Sequence, residues 1–185
     1  MKVEKEIQEI SDEELVMGCV MNDRKSQEML YRKFSREMYN ICLAYENDRD
    51  KAKDILQEGF IKVFRSIKTF NKKGSLKGWI KRIMANTAID HWRVSSNEDQ
   101  FLSIDLLTPG DQPFESPNTT LNCSDILSQI GRLPSGARLI FNLYALEGYS
   151  HKEIAEKLHI TEGTSKSQVN RARHLLQQYL GDNIQ

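Results

Sequence analysis

Lys166, Ser167, Asn170, Arg171 and Arg173 fall within little more than two turns of a would-be helix near the C-terminus. Ammonium and guanidinium groups neutralise phosphates, and amide and hydroxyl groups hydrogen-bond to base edges. Residues of these types on one helix can therefore read duplex DNA. Val169, Ala172, Leu175 and Leu176 recur at helical spacing on another side, so one face packs and the other is free to read. An ordinary helical hairpin with solvated charges would share this composition, because Lys and Arg on helices are usually just exposed. Catalysis fits less well. His91, His151, His159 and His174 are scattered, and no Ser-His-Asp grouping, phosphate-binding loop or H-E-x-x-H motif occurs. Cys19, Cys42 and Cys123 are odd in number and widely spaced without a C-x-x-C pair, which argues against a disulfide framework and a zinc site. They read as reduced core thiols, and no metal, cofactor or small-molecule substrate is expected.

A second basic cluster lies between Ile61 and Val94, where nine Lys/Arg face the single acid Asp90, a balance of +8. Arg82, Asn86 and Arg93 follow i, i+4 and i+11, with Lys81 adjacent, and the preceding loop supplies Asn71, Lys72, Lys73, Gly74 and Ser75. A basic loop running into a basic helical ridge can track phosphates, and Asn can read a base edge. Asp90 would repel phosphate and reads as an internal partner for Arg93 or Asn86. Trp79 and Trp92 could stack unpaired bases, although aromatics at helical spacing more often belong to a core. Residues Met1 to Phe60 instead carry ten Lys/Arg and fourteen Asp/Glu, a balance of −4, which suits a protein-binding or solvated surface. There Asp54, Glu58, Ile61 and Arg65 lie at i, i+4, i+7 and i+11, away from the core stripe, with Gln57 beside them. An exposed Ile among Asp, Gln and Glu can be a docking face or ordinary surface.

The elements that must position these groups all read as helices. Ser11 with Glu14 and Ser150 with Glu153 have capping-box spacing, so helices start just after each serine. The first runs to about Met21 and a second from about Asp23 to Tyr45, with Met29, Leu30, Phe34, Met38, Ile41 and Cys42 facing inward. A third spans about Asp50 to Phe70, with Leu56, Phe60, Val63, Phe64 and Ile67 as its core stripe. The fourth spans about Ser75 to Val94, carrying Leu76, Trp79, Ile80, Ile83, Met84, Ala88 and Trp92. Helices near Ser124 to Ile130 and from Pro134 to about Glu147 follow, the latter ended by Gly148. The next stops near Leu158. Thr161 then caps the final helix, whose first turn holds Glu162, Gly163 and Thr164. Only His159 and Ile160 separate the last two helices, and a turn that short sets the steep angle of a helix-turn-helix, whose second helix enters a major groove roughly 12 Å wide.

At 185 residues, 39% hydrophobic and 28% charged with a net charge of zero, the chain is a soluble globular protein of one domain or two small ones. It shows neither an export leader nor an apolar run near 18 residues, so it is expected in the cytoplasm without membrane insertion. Residues 95–122 contain Pro109, Pro113 and Pro117 and no Lys or Arg, which marks a flexible linker that could span roughly 95 Å if extended. Phe101, Leu102, Ile104, Leu106 and Leu107 could give it local docking contacts. The expected fold is all-α, with two small helical domains at 1–94 and 123–185 joined by that linker.

Three segments together make the chain resemble bacterial RNA polymerase sigma factors of the extracytoplasmic-function (ECF) type within the sigma-70 family. DKAKDILQEGFIKVFRSIKTF, from Asp50 to Phe70, is similar to the polymerase-docking helix. GSLKGWIKRIMANTAIDHWR, from Gly74 to Arg93, is similar to the −10 element helix, and Leu133 to Arg173 resembles the −35 module. The resemblance implies a region 2-like bundle and a region 4-like helix-turn-helix. It implies that Asp54, Gln57, Glu58 and Ile61 dock on core RNA polymerase. It implies that Asn71, Lys72, Lys73, Gly74 and Ser75 capture a flipped base of the melted −10 strand, with Lys81, Arg82, Asn86 and Arg93 alongside. Thr161, Glu162, Thr164, Lys166, Ser167, Gln168, Asn170, Arg171 and Arg173 would form the −35 surface. Core polymerase, promoter DNA and an anti-sigma factor, often membrane-tethered, are the implied partners. Four positions depart from the family pattern. Gly59 interrupts the docking helix at a cost of roughly 1 kcal/mol, and His159 replaces the common turn glycine. Ser165 stands where a buried valine is usual, and Gln168 replaces a frequent arginine.

Overall fold

A computed structural model describes residues 10–71, 73–95 and 128–181. Lys72, the linker from residue 96 to 122 with its apolar residues, Cys123 and the start of the helix expected at Ser124 lie outside the described residues. The chain divides into two compact units, one drawn from Met1–Leu43 and Asp48–Ala88, the other from Ala44–Asn47 and Ile89–Gln185. Every regular element among the described residues is helical.

In the first unit α1 is Asp12–Val20, α2 is Arg24–Tyr45 with its last two residues in the second unit, and α3 is Arg49–Ser66, followed by a 3₁₀ turn at Ile67–Thr69; α4, Leu76–Ser95, likewise continues beyond the unit's last residue. Their starts are set by side chains that satisfy orphan backbone N–H groups. The Glu14 N–H donates to Ser11 Oγ at 3.2 Å and the Ser11 N–H to Glu14 Oε2 at 3.0 Å, the reciprocal pair of a capping box. Asp23 accepts from the Ser26 N–H at 2.8 Å ahead of α2, and Asp48 accepts from Asp50 and Lys51 ahead of α3. Glu14 and Asp48 are held below the ordinary carboxylate range by these hydrogen bonds, and Asp23 first by the Ser26 hydroxyl, which donates to it at 2.6 Å, then by the Ser26 N–H, so the caps are charged at neutral pH. The expected third helix is shorter than its sequence stripe. It tightens into 3₁₀ geometry at Ile67, and that turn still buries Ile67.

The core of this unit is built from Leu15, Leu30, Phe34, Met38, Ile55, Phe60, Val63, Leu76, Ile80 and Met84, each 5% exposed or less. Cys19 and Cys42 are buried within it, and burial pushes their thiols up to about 11 and about 12, as expected of inert core thiols. Gly59 has a packing reason that no propensity scale supplies. A Cβ there would run into the thioether of the buried Met84, so an added side chain on α3 forces Met84 of α4 to repack. Gly59→Ala should therefore destabilise the unit by about 1–3 kcal/mol despite its better helix propensity. Adding Met84→Val should restore part of that loss, and amide hydrogen exchange along α3 would measure both. A Gly59→Ala chain with slower exchange would contradict the close-packing account.

In the second unit residues 128–131 are helical, followed by α5 Ser135–Ala145, α6 His151–Leu158 and α7 Glu162–Gly181. Ile130, Leu133, Ala137 and Ala172 form a buried cluster, with Phe141, Leu175, Leu176 and Tyr179 against it. Leu139, Ile140, Leu143, Ile154 and Val169 are buried to 2% or less. Arg138 and Asn142 are buried polar residues that donate to backbone carbonyls. Arg138 Nε donates to the Tyr45 carbonyl at 3.1 Å and Nη1 to that of Gly131 at 2.7 Å, while Asn142 Nδ2 donates to the Ala44 carbonyl at 2.6 Å. Desolvation lowers the Arg138 pKa against the opposing pull of Glu46.

Candidate polymerase and nucleic-acid interfaces

α6 and α7 make the expected helix-turn-helix, and its turn is fixed by local chemistry. Ser150 and Glu153 form the second capping box: the Glu153 N–H donates to Ser150 Oγ at 3.3 Å and the Ser150 N–H to Glu153 Oε2 at 2.8 Å. His159 adopts φ 55°, ψ 43°, the left-handed conformation that glycine takes without steric penalty, and its N–H donates to the Ala155 carbonyl. A residue with a Cβ held there costs roughly 1 kcal/mol or more. Thr161 Oγ1 accepts from the Thr164 N–H at 3.0 Å and opens α7.

Along α7 the structure separates the expected −35 residues into two groups. Thr161, Glu162, Lys166 and Ser167 are exposed, and Thr164, Asn170, Arg171 and Arg173 are half-buried. Gln168 does not join them. It is 1% exposed and packs with Ser165, Val169 and Ala172 on the inward face, so its expected place in the DNA-reading set is corrected. The phase was available from sequence: Ser165, Gln168, Val169 and Ala172 follow i, i+3, i+4 and i+7, the inward stripe continued by Leu175 and Leu176. The place of Gln168 in the set came from the resemblance and not from this register.

Ser165, also buried, makes a bond that the usual valine could not. Its Oγ lies 3.0 Å from His151 Nδ1, a hydrogen bond between the two helices of the motif. The His151 ring stacks on Tyr144 of α5 at 4.6 Å and 14°, and the Arg173 guanidinium lies over the other arm of this group, 5.6 Å from the Tyr144 ring. Partial burial, then Lys166 and Arg173, push the His151 pKa down, so the ring is neutral at neutral pH. Tyr144 and His151 thus position α7. Sequence reasoning missed them because the contact joins three helices, and no local pattern records it.

On α3, Asp54 and Gln57 are exposed, and Glu58 is half-buried and ion-paired with Lys62 at 2.8 Å. Ile61, one turn further along the same face, is 49% exposed. On α4, Arg82 and Arg93 are exposed, and Lys81 and Asn86 are half-buried on the same ridge. Trp79 and Trp92 are half-buried, and the Trp79 ring packs on Phe70 at 5.5 Å, so packing accounts for much of their surface.

The loop before α4 is shaped by three features. Asn71 Oδ1 accepts from the Lys73 N–H at 3.1 Å, Gly74 takes φ +116°, which an L side chain rarely adopts, and Ser75 Oγ accepts from the Gly78 N–H at 3.0 Å. Asn71, Lys73, Gly74 and Ser75 are all exposed. Phe70, Gly74, Ser75 and Leu76 form one side of a cleft of about 190 Å³, whose other wall is Asp12, Glu13 and Val16 of α1. That wall lies some sixty positions away in the chain, and the sequence carries no sign that it meets the loop. Among the described residues no group of His, Cys, Asp or Glu could hold a metal ion, and no helix is long and apolar enough to cross a membrane.

Two family profiles match this chain: Sigma-70 region 2 over residues 30–98 and Sigma-70, region 4 over residues 123–176. The chain is 26% identical to the RNA polymerase sigma-H factor of Pseudomonas aeruginosa over 91% of its own length and 93% of that protein. It is likewise 26% identical to the ECF RNA polymerase sigma-E factor of Haemophilus influenzae, over 92% of this chain and 95% of that one. The ECF RNA polymerase sigma factor SigM of Mycobacterium tuberculosis is 26% identical over 94% of this chain and 86% of its own.

Proposed function

This chain belongs to the sigma-70 family, in its ECF branch, as a promoter-recognition factor of RNA polymerase, and on that premise we propose how its surfaces divide the work. Residues 1–94 dock on core polymerase and open −10 DNA, 95–122 tether, and 123–185 read −35 duplex. Asp54, Gln57, Glu58 and Ile61 make the polymerase contact. Polar groups followed by one exposed apolar side chain along a helix face suit a small docking patch. Asn71, Lys73, Gly74 and Ser75, with Lys72, take an unpaired base of the −10 strand, while Lys81, Arg82, Asn86 and Arg93 carry its backbone. Extruding a base costs a few kcal/mol of stacking, and a site that binds the extruded base returns that energy only on the open strand. Strand opening is thereby favoured without nucleotide hydrolysis by this chain.

On α7 the −35 contacts fall to Thr161, Glu162, Thr164, Lys166, Ser167, Asn170, Arg171 and Arg173. The protein works in the cytoplasm beside polymerase, held when inactive by an anti-sigma partner. One observation carries the reading: the two Sigma-70 regions match in order along one chain, and each falls on helices whose exposed face has the chemistry its role needs. Run-off transcription with purified core polymerase and a promoter library tests it, and absence of initiation from every promoter would refute it. Arg171→Ala tests the −35 surface in particular. If Arg171 contacts only phosphate, binding should weaken similarly on all sequences, and the slope of log affinity against log salt should shallow by roughly 0.9. Relaxed preference at one base pair would identify a base contact instead, and unchanged affinity and slope would remove Arg171 from the surface.

A further inference from the structure

The cleft beside the −10 loop has a chemical bias that the loop does not explain. Val16, Phe70 and Leu76 give it apolar walls, and Gly74 adds backbone alone, with no heavy atom within 4 Å of where a Cβ would stand. Its volume of about 190 Å³ is several times the roughly 30 Å³ share of one water and below the roughly 300–1,000 Å³ of sites for larger ligands, a size suited to a single base. Two acidic residues, Asp12 and Glu13, also line this slot. Lys33 Nζ holds Asp12 Oδ1 at 2.7 Å and also donates to the Ile10 carbonyl at 3.3 Å, which fixes the direction of the Asp12 carboxylate. Carboxylates beside single-stranded DNA repel its phosphates. They attract only N–H donors, and on an unpaired strand those donors are on the base edges.

Resting on the reading of the loop as the site that captures an unpaired base, we infer that Asp12 and Glu13 make this cleft select a base bearing an exocyclic amino group and reject thymine. Cytosine offers its N4 amino group, adenine its N6 amino group, and guanine its N2 amino group beside N1–H. Each gives a carboxylate oxygen an N–H to accept, as Asp and Glu accept from cytosine N4 in a groove. Thymine presents one N–H flanked by two carbonyl oxygens, and those oxygens oppose a carboxylate. Phe70 and the apolar walls hold the ring of any base, so they give affinity without choice. The choice comes from α1, a helix distant in sequence from the loop.

The test uses holoenzyme assembled from the full chain and core polymerase, offered pre-opened bubble templates randomised in the −10 non-template strand. Retained templates are then sequenced. One position should show thymine depleted about fivefold or more relative to the amino-bearing bases. Glu13→Gln and Asp12→Asn should each reduce that depletion to about twofold or less while templates are still retained, because an amide both donates and accepts and so tolerates thymine. A purely structural role for these acids would lower retention of all templates together and leave the base ratio intact, which would overturn the proposal. Thymine enriched at the selected position, or depletion unchanged in both variants, would overturn it as well. Failure of the underlying reading has a different signature: wild type retains templates without selecting at any position, and Lys73→Ala changes nothing. Should Asp12→Asn fail to fold for want of its Lys33 pair, Glu13→Gln, on an exposed side chain, decides by the same ratio.

Discussion

Asp54→Arg is expected to abolish run-off transcription while leaving the first unit folded. Asp54 is exposed on α3, so reversing its charge removes no core contact. At a docking patch the same change sets a cation where the partner presents its complement. Truncating a central interface residue costs about 2–4 kcal/mol, and charge reversal adds repulsion, so affinity for core polymerase should fall by roughly a hundredfold or more. Helical content by circular dichroism should match wild type, and co-purification with core polymerase should fail. The Ile61→Arg chain should behave alike, because Ile61 is the apolar residue of the same patch. A free-standing DNA-binding regulator would keep its activity through both substitutions, so full transcription by Asp54→Arg would sink the docking assignment.

Ile154→Asp should produce an equally large loss of a different kind. Ile154 is 0% exposed in α6, and a carboxylate at that position has no partner in the apolar packing between the motif's helices. An unpaired buried charge costs several kcal/mol, which is comparable to the whole stability of a unit this small. The helix-turn-helix should therefore unfold, and transcription from promoters that depend on a −35 element should disappear. If the two ends of the chain carry separate roles, core polymerase binding and transcription from a pre-opened −10 bubble should persist. Loss of both together would mean that the roles are not separable as proposed.

Helix positions were legible because helices are specified locally. Capping boxes at Ser11 with Glu14 and Ser150 with Glu153, and apolar residues at helical spacing, use contacts within one or two turns, and the structure reproduces them to within a few residues. The left-handed backbone of His159 was signalled only through the resemblance, because this residue stands where the family has its turn glycine. Gln168 entered the −35 set through the resemblance alone, and the i, i+3, i+4 register it shares with Ser165, Val169 and Ala172 turns it inward.

The sequence by itself determined the all-α class, the helix-turn-helix, the basic character of the loop and ridge, and the acidic face around Ile61. Each depends on residue type and on spacing within a single helix or turn. Tertiary structure alone decided that Gly59 meets Met84, that Tyr144 and His151 brace α7, and that Asp12 and Glu13 wall the cleft beside Gly74. Those contacts join elements far apart along the chain. They depend on how helices pack, which is a sum of many weak side-chain contacts that no single segment encodes.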